Sequence, residues 1–201
     1  DAFYRGEIAR RLVNGVQEAG GILDHTDLER YRPFHWQTGD CQGVEPLEIS
    51  YREMCVRAAP YASGGITSAM TLQLLSGSEL SSCAHNDTEA LHRYICAARL
   101  AYADRFAFLA DPESADVPWK GLISPSYAAR RQAGIRAKAP TQFKAGDPWR
   151  EEGRSAPKRP PGSTPVYQDG TTHLCVVDGD GNAVSLTNTL MSRFGSGVIA
   201  G

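Results

Sequence analysis

The chain has 201 residues, 41% of them hydrophobic and 22% charged, with a formal net charge of −2. This is ordinary globular composition for one domain or two, long enough to bury a substantial core, and its charge balance gives no whole-chain attraction to nucleic acid or anionic membrane. No apolar run reaches the roughly 18 residues of a membrane-spanning helix, and five cysteines without a CxxC pair (Cys41, Cys55, Cys83, Cys96, Cys175) argue against a disulfide scaffold.

In chain order, Ile8, Leu12, Val13 and Val16 recur at helical spacing and predict a helix over 3–18, ended by Gly20-Gly21. Thr26 is the expected N-cap of a short helix over 27–31. Leu47–Tyr51 and Met54–Arg57, separated by Arg52-Glu53, read as a hairpin. Ser63-Gly64-Gly65 opens a helix with Ile66, Met70 and Leu74 on one face. Its glycines suit either a tight, closely packed helix entry or an anion cradle. Asp87 or Thr88 caps a long helix carrying Leu91, Ile95, Ala98 and Tyr102 on one face, which breaks near Asp111-Pro112. Ser124-Pro125 starts another helix, reaching about Ala133.

Between about 136 and 170 the periodicity dissolves into six prolines and basic runs such as Lys158-Arg159-Pro160-Pro161-Gly162. Aromatic residues do not interleave with the basic ones, so the segment reads as a solvated linker rather than a nucleic-acid arm. Then Thr171–Val177 and Ala183–Thr189 alternate as two strands around the turn Asp178-Gly179-Asp180-Gly181-Asn182. An EF-hand counted from Asp178 would need Gly and Glu where Ala183 and Thr189 stand, so a tight turn is expected instead of a calcium loop. Cys83, His85, His92 and Cys96 invite a zinc reading, but their spacing matches no common site.

The chemistry-bearing feature is the place where the Gly-ended loop meets two threonines, at Gly170-Thr171-Thr172. The bland reading is an edge hairpin whose threonines merely favour β-structure. The sharper one is a self-cleaving junction at Gly170–Thr171. A threonine that becomes a chain start carries nucleophile and base together, because its α-amine, with a pKa of about 7.7–8.0, can take the hydroxyl proton. On the returning strand, Thr189 stands where its hydroxyl can hydrogen-bond to that of Thr171.

Five motifs, in order, resemble the γ-glutamyltranspeptidase family. They are Phe3-Tyr4-Arg5-Gly6-Glu7-Ile8-Ala9; Gly20-Gly21-Ile22-Leu23 followed by Asp27-Leu28 and Tyr31; Ser63-Gly64-Gly65-Ile66; Tyr102-Ala103-Asp104-Arg105 with Leu109, Asp111-Pro112 and Val117-Pro118; and Thr171–Val177 through Gly181-Asn182-Ala183-Val184, Thr187, Thr189-Leu190 and Phe194-Gly195. The resemblance implies an α+β fold, the N-terminal-nucleophile hydrolase αββα sandwich, incomplete in this chain. Thr171 is then the nucleophile of autocleavage and acyl transfer, and Thr189 its supporting threonine. Residues 1–170 are the end of a large-subunit region and 171–201 the start of a small one, whose remaining segments would be partners. The chain opens on the threshold of a helix and stops after the apolar run Val198-Ile199-Ala200, so it is expected to be an internal piece of a longer protein.

The activity implied is cleavage of γ-glutamyl amides such as glutathione through an acyl-enzyme, with no metal or organic cofactor, in a periplasmic or secreted protein. Family members with that activity usually carry Asn two residues after the second threonine, where it helps hold the glutamyl α-amino-acid end. Met191 stands there in this chain, and a thioether cannot both donate and accept hydrogen bonds as an amide does. A related acylase or amidohydrolase with a non-glutamyl substrate is therefore one alternative, and a non-catalytic, uncleaved relative is another.

Overall fold

The computed structural model describes residues 1–31, 46–60, 63–111, 115–157, 171–189, 195 and 197–199. The chain forms two units, one from Asp1–His35 with Ser163–Gly201 and the other from Trp36–Gly162.

The second unit is built around a buried helix. β1 (Leu47–Tyr51) and β2 (Met54–Ala58) form the expected antiparallel hairpin, with Ile49 opposite Val56. α3 (Gly64–Leu75) is buried over most of its circumference, at Ile66, Thr67, Ala69, Met70, Thr71, Gln73, Leu74 and Leu75. Its cap is Ser63, whose Oγ accepts from Gly65 N at 3.2 Å and donates to the Ala59 carbonyl at 2.7 Å. A Cβ on Gly65 would lie 2.8 Å from both Ala59 N and Ala59 O, so the glycine serves a close backbone approach. The geometry carries the packing reading of Ser63-Gly64-Gly65.

α4 (Thr88–Phe108) starts at Asp87, whose carboxylate accepts from Glu89 N at 2.8 Å. Its buried face is Cys96, Ala97, Leu100, Ala101 and Asp104. The face expected from large apolar residues is instead open: Leu91, Ile95 and Tyr102 are about half exposed. The helix is apolar on two sides, and the side bearing Ala97 and Ala101 lets α3 approach closely. Arg105 Nη1 donates to the Ser63 carbonyl and to Thr67 Oγ1, at 2.8 and 2.9 Å, tying the end of α4 to the start of α3.

α6 (Pro125–Gln132) begins at Ser124-Pro125 as expected, with Ser124 as its cap, whose Oγ accepts from Tyr127 N. It supplies Gln132, whose amide donates to the Leu74 carbonyl and satisfies one of the orphan acceptors at the end of α3. It also supplies Arg131, which binds the buried Asp104 carboxylate through Nε at 3.2 Å and Nη2 at 3.1 Å. Gly146 N donates to the same carboxylate at 2.8 Å. Burial pushes the Asp104 carboxyl above the usual aspartate range, against the pull of Arg131 and Gly146.

Three short elements of the described residues lie outside the periodic signals, the first a 3-10 turn at Leu80–Ser82. α5 (Trp119–Leu122) meets a second 3-10 turn, Trp149–Glu152, inside the stretch predicted to be irregular. Gly121 N donates to Glu152 Oε1 at 2.9 Å, and Trp149 is almost wholly buried, with Arg154 over its ring.

In the first unit α1 (Glu7–Glu18) buries Ala9 and Val13 and ends at Gly20, whose φ of +81° is the left-handed conformation that glycine adopts without strain. α2 (His25–Arg30) is capped by Asp24 rather than Thr26. Asp24 Oδ1 accepts from Asp27 N and Asp27 Oδ2 from Asp24 N, each at 2.9 Å. This reciprocal capping box satisfies two donors where a Thr26 cap would satisfy one. β3 (Thr171–Val177) and β4 (Ala183–Thr189) form the second hairpin with the predicted bounds.

Candidate functional site

The β3–β4 register pairs Thr171 with Thr189, Thr172 with Asn188, His173 with Thr187, Leu174 with Leu186, Cys175 with Ser185 and Val176 with Val184. Because successive strand side chains point to opposite faces, one face carries three polar rungs. On the first, Thr171 Oγ1 donates to Thr189 Oγ1 at 2.9 Å. On the second, His173 Nδ1 lies 2.7 Å from Thr187 Oγ1. His173 Nε2 reaches the third, 3.2 Å from Cys175 Sγ and 3.3 Å from Ser185 Oγ. The other face carries Leu174, Val176, Val184 and Leu186, all roughly half exposed.

The turn fixes this register. Asp178 N donates to the Asn182 carbonyl at 3.0 Å, and Gly181 takes the positive φ of +83° that the reversal needs. The Asp178 carboxylate accepts from Asp180 N, Asn182 N and Asn182 Nδ2 at 2.8–3.0 Å. The Asn182 side chain, with its backbone and those of Asp180 and Gly181, holds that carboxyl below its usual range. All three of these donors belong to the turn itself, consistent with a tight turn.

Thr171 and Thr189 are thus brought together as the sequence suggested, while Gly170 and Met191 lie outside the described residues. The zinc reading gains nothing. His92 Nε2 is 2.6 Å from the Arg136 carbonyl and 3.8 Å from Cys96 Sγ, and among the described residues no three His, Cys, Asp or Glu side chains converge. Sequence reasoning missed His173 and Thr187 as members of the polar face. Counting every second residue from Thr171 along the paired strand would have found both.

A hydroxyl that donates to a neighbouring hydroxyl is oriented and keeps its lone pairs for attack on an electrophilic carbonyl. The sequence profile of the family described as "Gamma-glutamyltranspeptidase" matches residues 1–201. A "Glutathione hydrolase proenzyme" of Pseudomonas sp. (strain A14) is 34% identical over 201 residues, covering 100% of this chain and 31% of the relative. An "Acylase ACY 1 proenzyme" of Pseudomonas sp. (strain SE83) is 32% identical, covering 98% of this chain and 31% of the relative. Among solved structures, cephalosporin acylase from Bacillus halodurans superposes with a TM-score of 0.72 at 30% identity, over 98% of this chain and 31% of that one. The chain therefore spans about a third of the length of these relatives, and its α+β fold is of the N-terminal-nucleophile hydrolase class.

Proposed function

The chain belongs to the γ-glutamyltranspeptidase family, and on that premise we propose that it carries the self-processing junction and nucleophile of an N-terminal threonine amidohydrolase or acyltransferase. The observation that carries this reading is the Thr171 hydroxyl, held at 2.9 Å by Thr189 on the first rung of the hairpin.

In the uncut chain the nitrogen of Thr171 is a peptide amide and cannot act as a base. Thr171 Oγ1 attacks the Gly170 carbonyl carbon, and the acyl group moves from nitrogen to oxygen. The C–N bond breaks as the hydroxyl proton passes to the departing nitrogen, which becomes the free α-amine of Thr171. Water then hydrolyses the ester, releasing the Gly170 carboxylate and restoring the Thr171 hydroxyl. That amine, titrating near neutrality, takes the hydroxyl proton when Oγ1 attacks a substrate amide. An acyl-enzyme forms and the amine product leaves with the proton. Water, or an amino acid or peptide amine, then accepts the acyl group. Thr189 orients Oγ1 throughout.

The acyl group is either γ-glutamyl or that of a related acylase substrate. The second is favoured by Met191 standing where the family usually has Asn. In the full-length protein, intact mass should show two fragments split at Gly170–Thr171, and the Thr171→Ala variant should stay whole. Turnover of a panel of chromogenic γ-glutamyl, aliphatic and aromatic acyl anilides then identifies the acyl class. A Thr171→Ala protein that still cleaves and turns over would sink the proposal. An uncut wild type would leave a non-catalytic relative.

A further inference from the structure

We propose that His173 is a positioning residue for this nucleophile: its imidazole straps β3 to β4 on the rung beside Thr171 and so holds the Thr171 and Thr189 hydroxyls together. The inference rests on the reading of Thr171 as nucleophile and adds to it a residue that the chemistry above leaves unused.

Among the described residues Thr171 and Thr189 are the last pair of the β3–β4 ladder, and the end of a ladder opens more readily than its middle unless something ties it. His173 is one register step inward, on the same face. Its Nδ1 is 2.7 Å from Thr187 Oγ1 across the pair, and its Nε2 is 3.3 Å from Ser185 Oγ and 3.2 Å from Cys175 Sγ. A neutral imidazole offers one donor and one acceptor, and each of its hydroxyl partners can supply the complement. One ring therefore spans two rungs of the ladder and grips both strands. With both nitrogens so engaged, the ring acts on the reaction through Thr187 and the strand spacing rather than by exchanging a proton with Thr171.

The strap has two ends, and amide side chains separate them. The Asn amide reaches the place of Nδ1, the Gln amide that of Nε2. The measurement is the first-order rate of autocleavage of the full-length protein, followed by intact mass, for His173→Ala, His173→Asn, His173→Gln and Thr187→Val. Misplacing a reacting group by about 1 Å costs roughly 100-fold. His173→Ala and Thr187→Val should each slow cleavage on that scale, and together no more than either alone, because they remove one shared contact. His173→Asn should recover most of the rate and His173→Gln should not, with thermal midpoints of the Asn and Gln proteins alike.

Wild-type rates in His173→Ala, or rescue by Gln and not by Asn, would overturn the strap while leaving Thr171 as nucleophile. A wild type that never cleaves removes both. If His173→Ala does not fold, the near-isosteric Thr187→Val and the Asn–Gln contrast decide.

Discussion

In the unit of residues 36–162 the Asp104 carboxylate is buried and bonded to groups distant in sequence, whereas on the β3–β4 hairpin the polar side chains are exposed and bonded mostly to one another. Asp104 is almost completely inaccessible and accepts from Arg131 and Gly146, elements far apart in sequence. Thr171, His173, Thr187 and Thr189 stand at the surface of this chain and are ordered across two adjacent strands. The first arrangement locks helices and loops in place. The second leaves hydroxyls open to solvent while relying on strand register for their placement. A hydroxyl destined to attack a substrate must stay accessible, so its orientation has to come from neighbours that do not cover it.

If this division holds, substitutions on the hairpin should change rates with little change in stability, and substitutions in the helical unit the reverse. The largest expected effect is that of Thr171→Ala, with turnover reduced by about 10⁴-fold or more, as for loss of a covalent nucleophile. Thr189→Val keeps the β-branched shape but removes the orienting hydroxyl. Autocleavage should slow by roughly 100-fold, while stability should move by no more than about 0.5 kcal/mol, as for a surface position. A large fall in thermal midpoint would break the comparison at this point.

On the other side of the comparison, Asp104→Ala leaves the Arg131 charge without its counter-ion and Gly146 N without its acceptor. It should destabilise by about 3 kcal/mol, measured by denaturant unfolding, with processing lost only in proportion to the unfolded fraction. The pH dependence sharpens the same point. Burial raises the Asp104 carboxyl in the folded state, so the fold holds its proton to higher pH than the unfolded chain does. The stability this group contributes is complete below the ordinary aspartate range and is lost as pH climbs through the raised folded value. Asp104→Asn, which cannot ionise, should lack that limb when unfolding is followed against pH.

The smallest effect expected is that of Gly121→Ala. A Cβ there would come within 2.1 Å of the Pro148 carbonyl oxygen, forcing α5 off the turn that carries Trp149. The cost should be about 1–3 kcal/mol, visible as a lowered thermal midpoint with the Gly170–Thr171 cleavage rate unchanged.

Local chemistry made much of this chain legible from sequence. Both hairpins are written as alternating runs broken by short turns, and the β3–β4 bounds follow the alternation residue for residue. The helices opened by Ser63, by Asp87 or Thr88, and by Ser124-Pro125 start where expected, capped by Ser63, Asp87 and Ser124, because a cap acts on amides two or three residues away. Thr171 and Thr189 were legible as a pair, since a hairpin of known turn puts its two ends side by side.

What acts over long sequence separations was decided by the tertiary structure. Large apolar residues mark one face of α4, yet within this chain the helix packs the opposite face, with Ala97, Leu100 and Ala101, into the core formed with Ile66, Met70 and Leu74 of α3. Trp149 sits in a stretch without periodicity, and its burial depends on α5 and the glycine at 121. The bond from Arg131 to Asp104 spans 27 residues and that from Gly146 to Asp104 spans 42, distances over which no pattern of neighbouring residues carries information. Sequence alone therefore determined the β3–β4 hairpin, whose contacts are set by a five-residue turn and a period of two. The buried face of α4 and the Asp104 lock came only with packing, where shape and desolvation choose among partners that the sequence leaves equivalent.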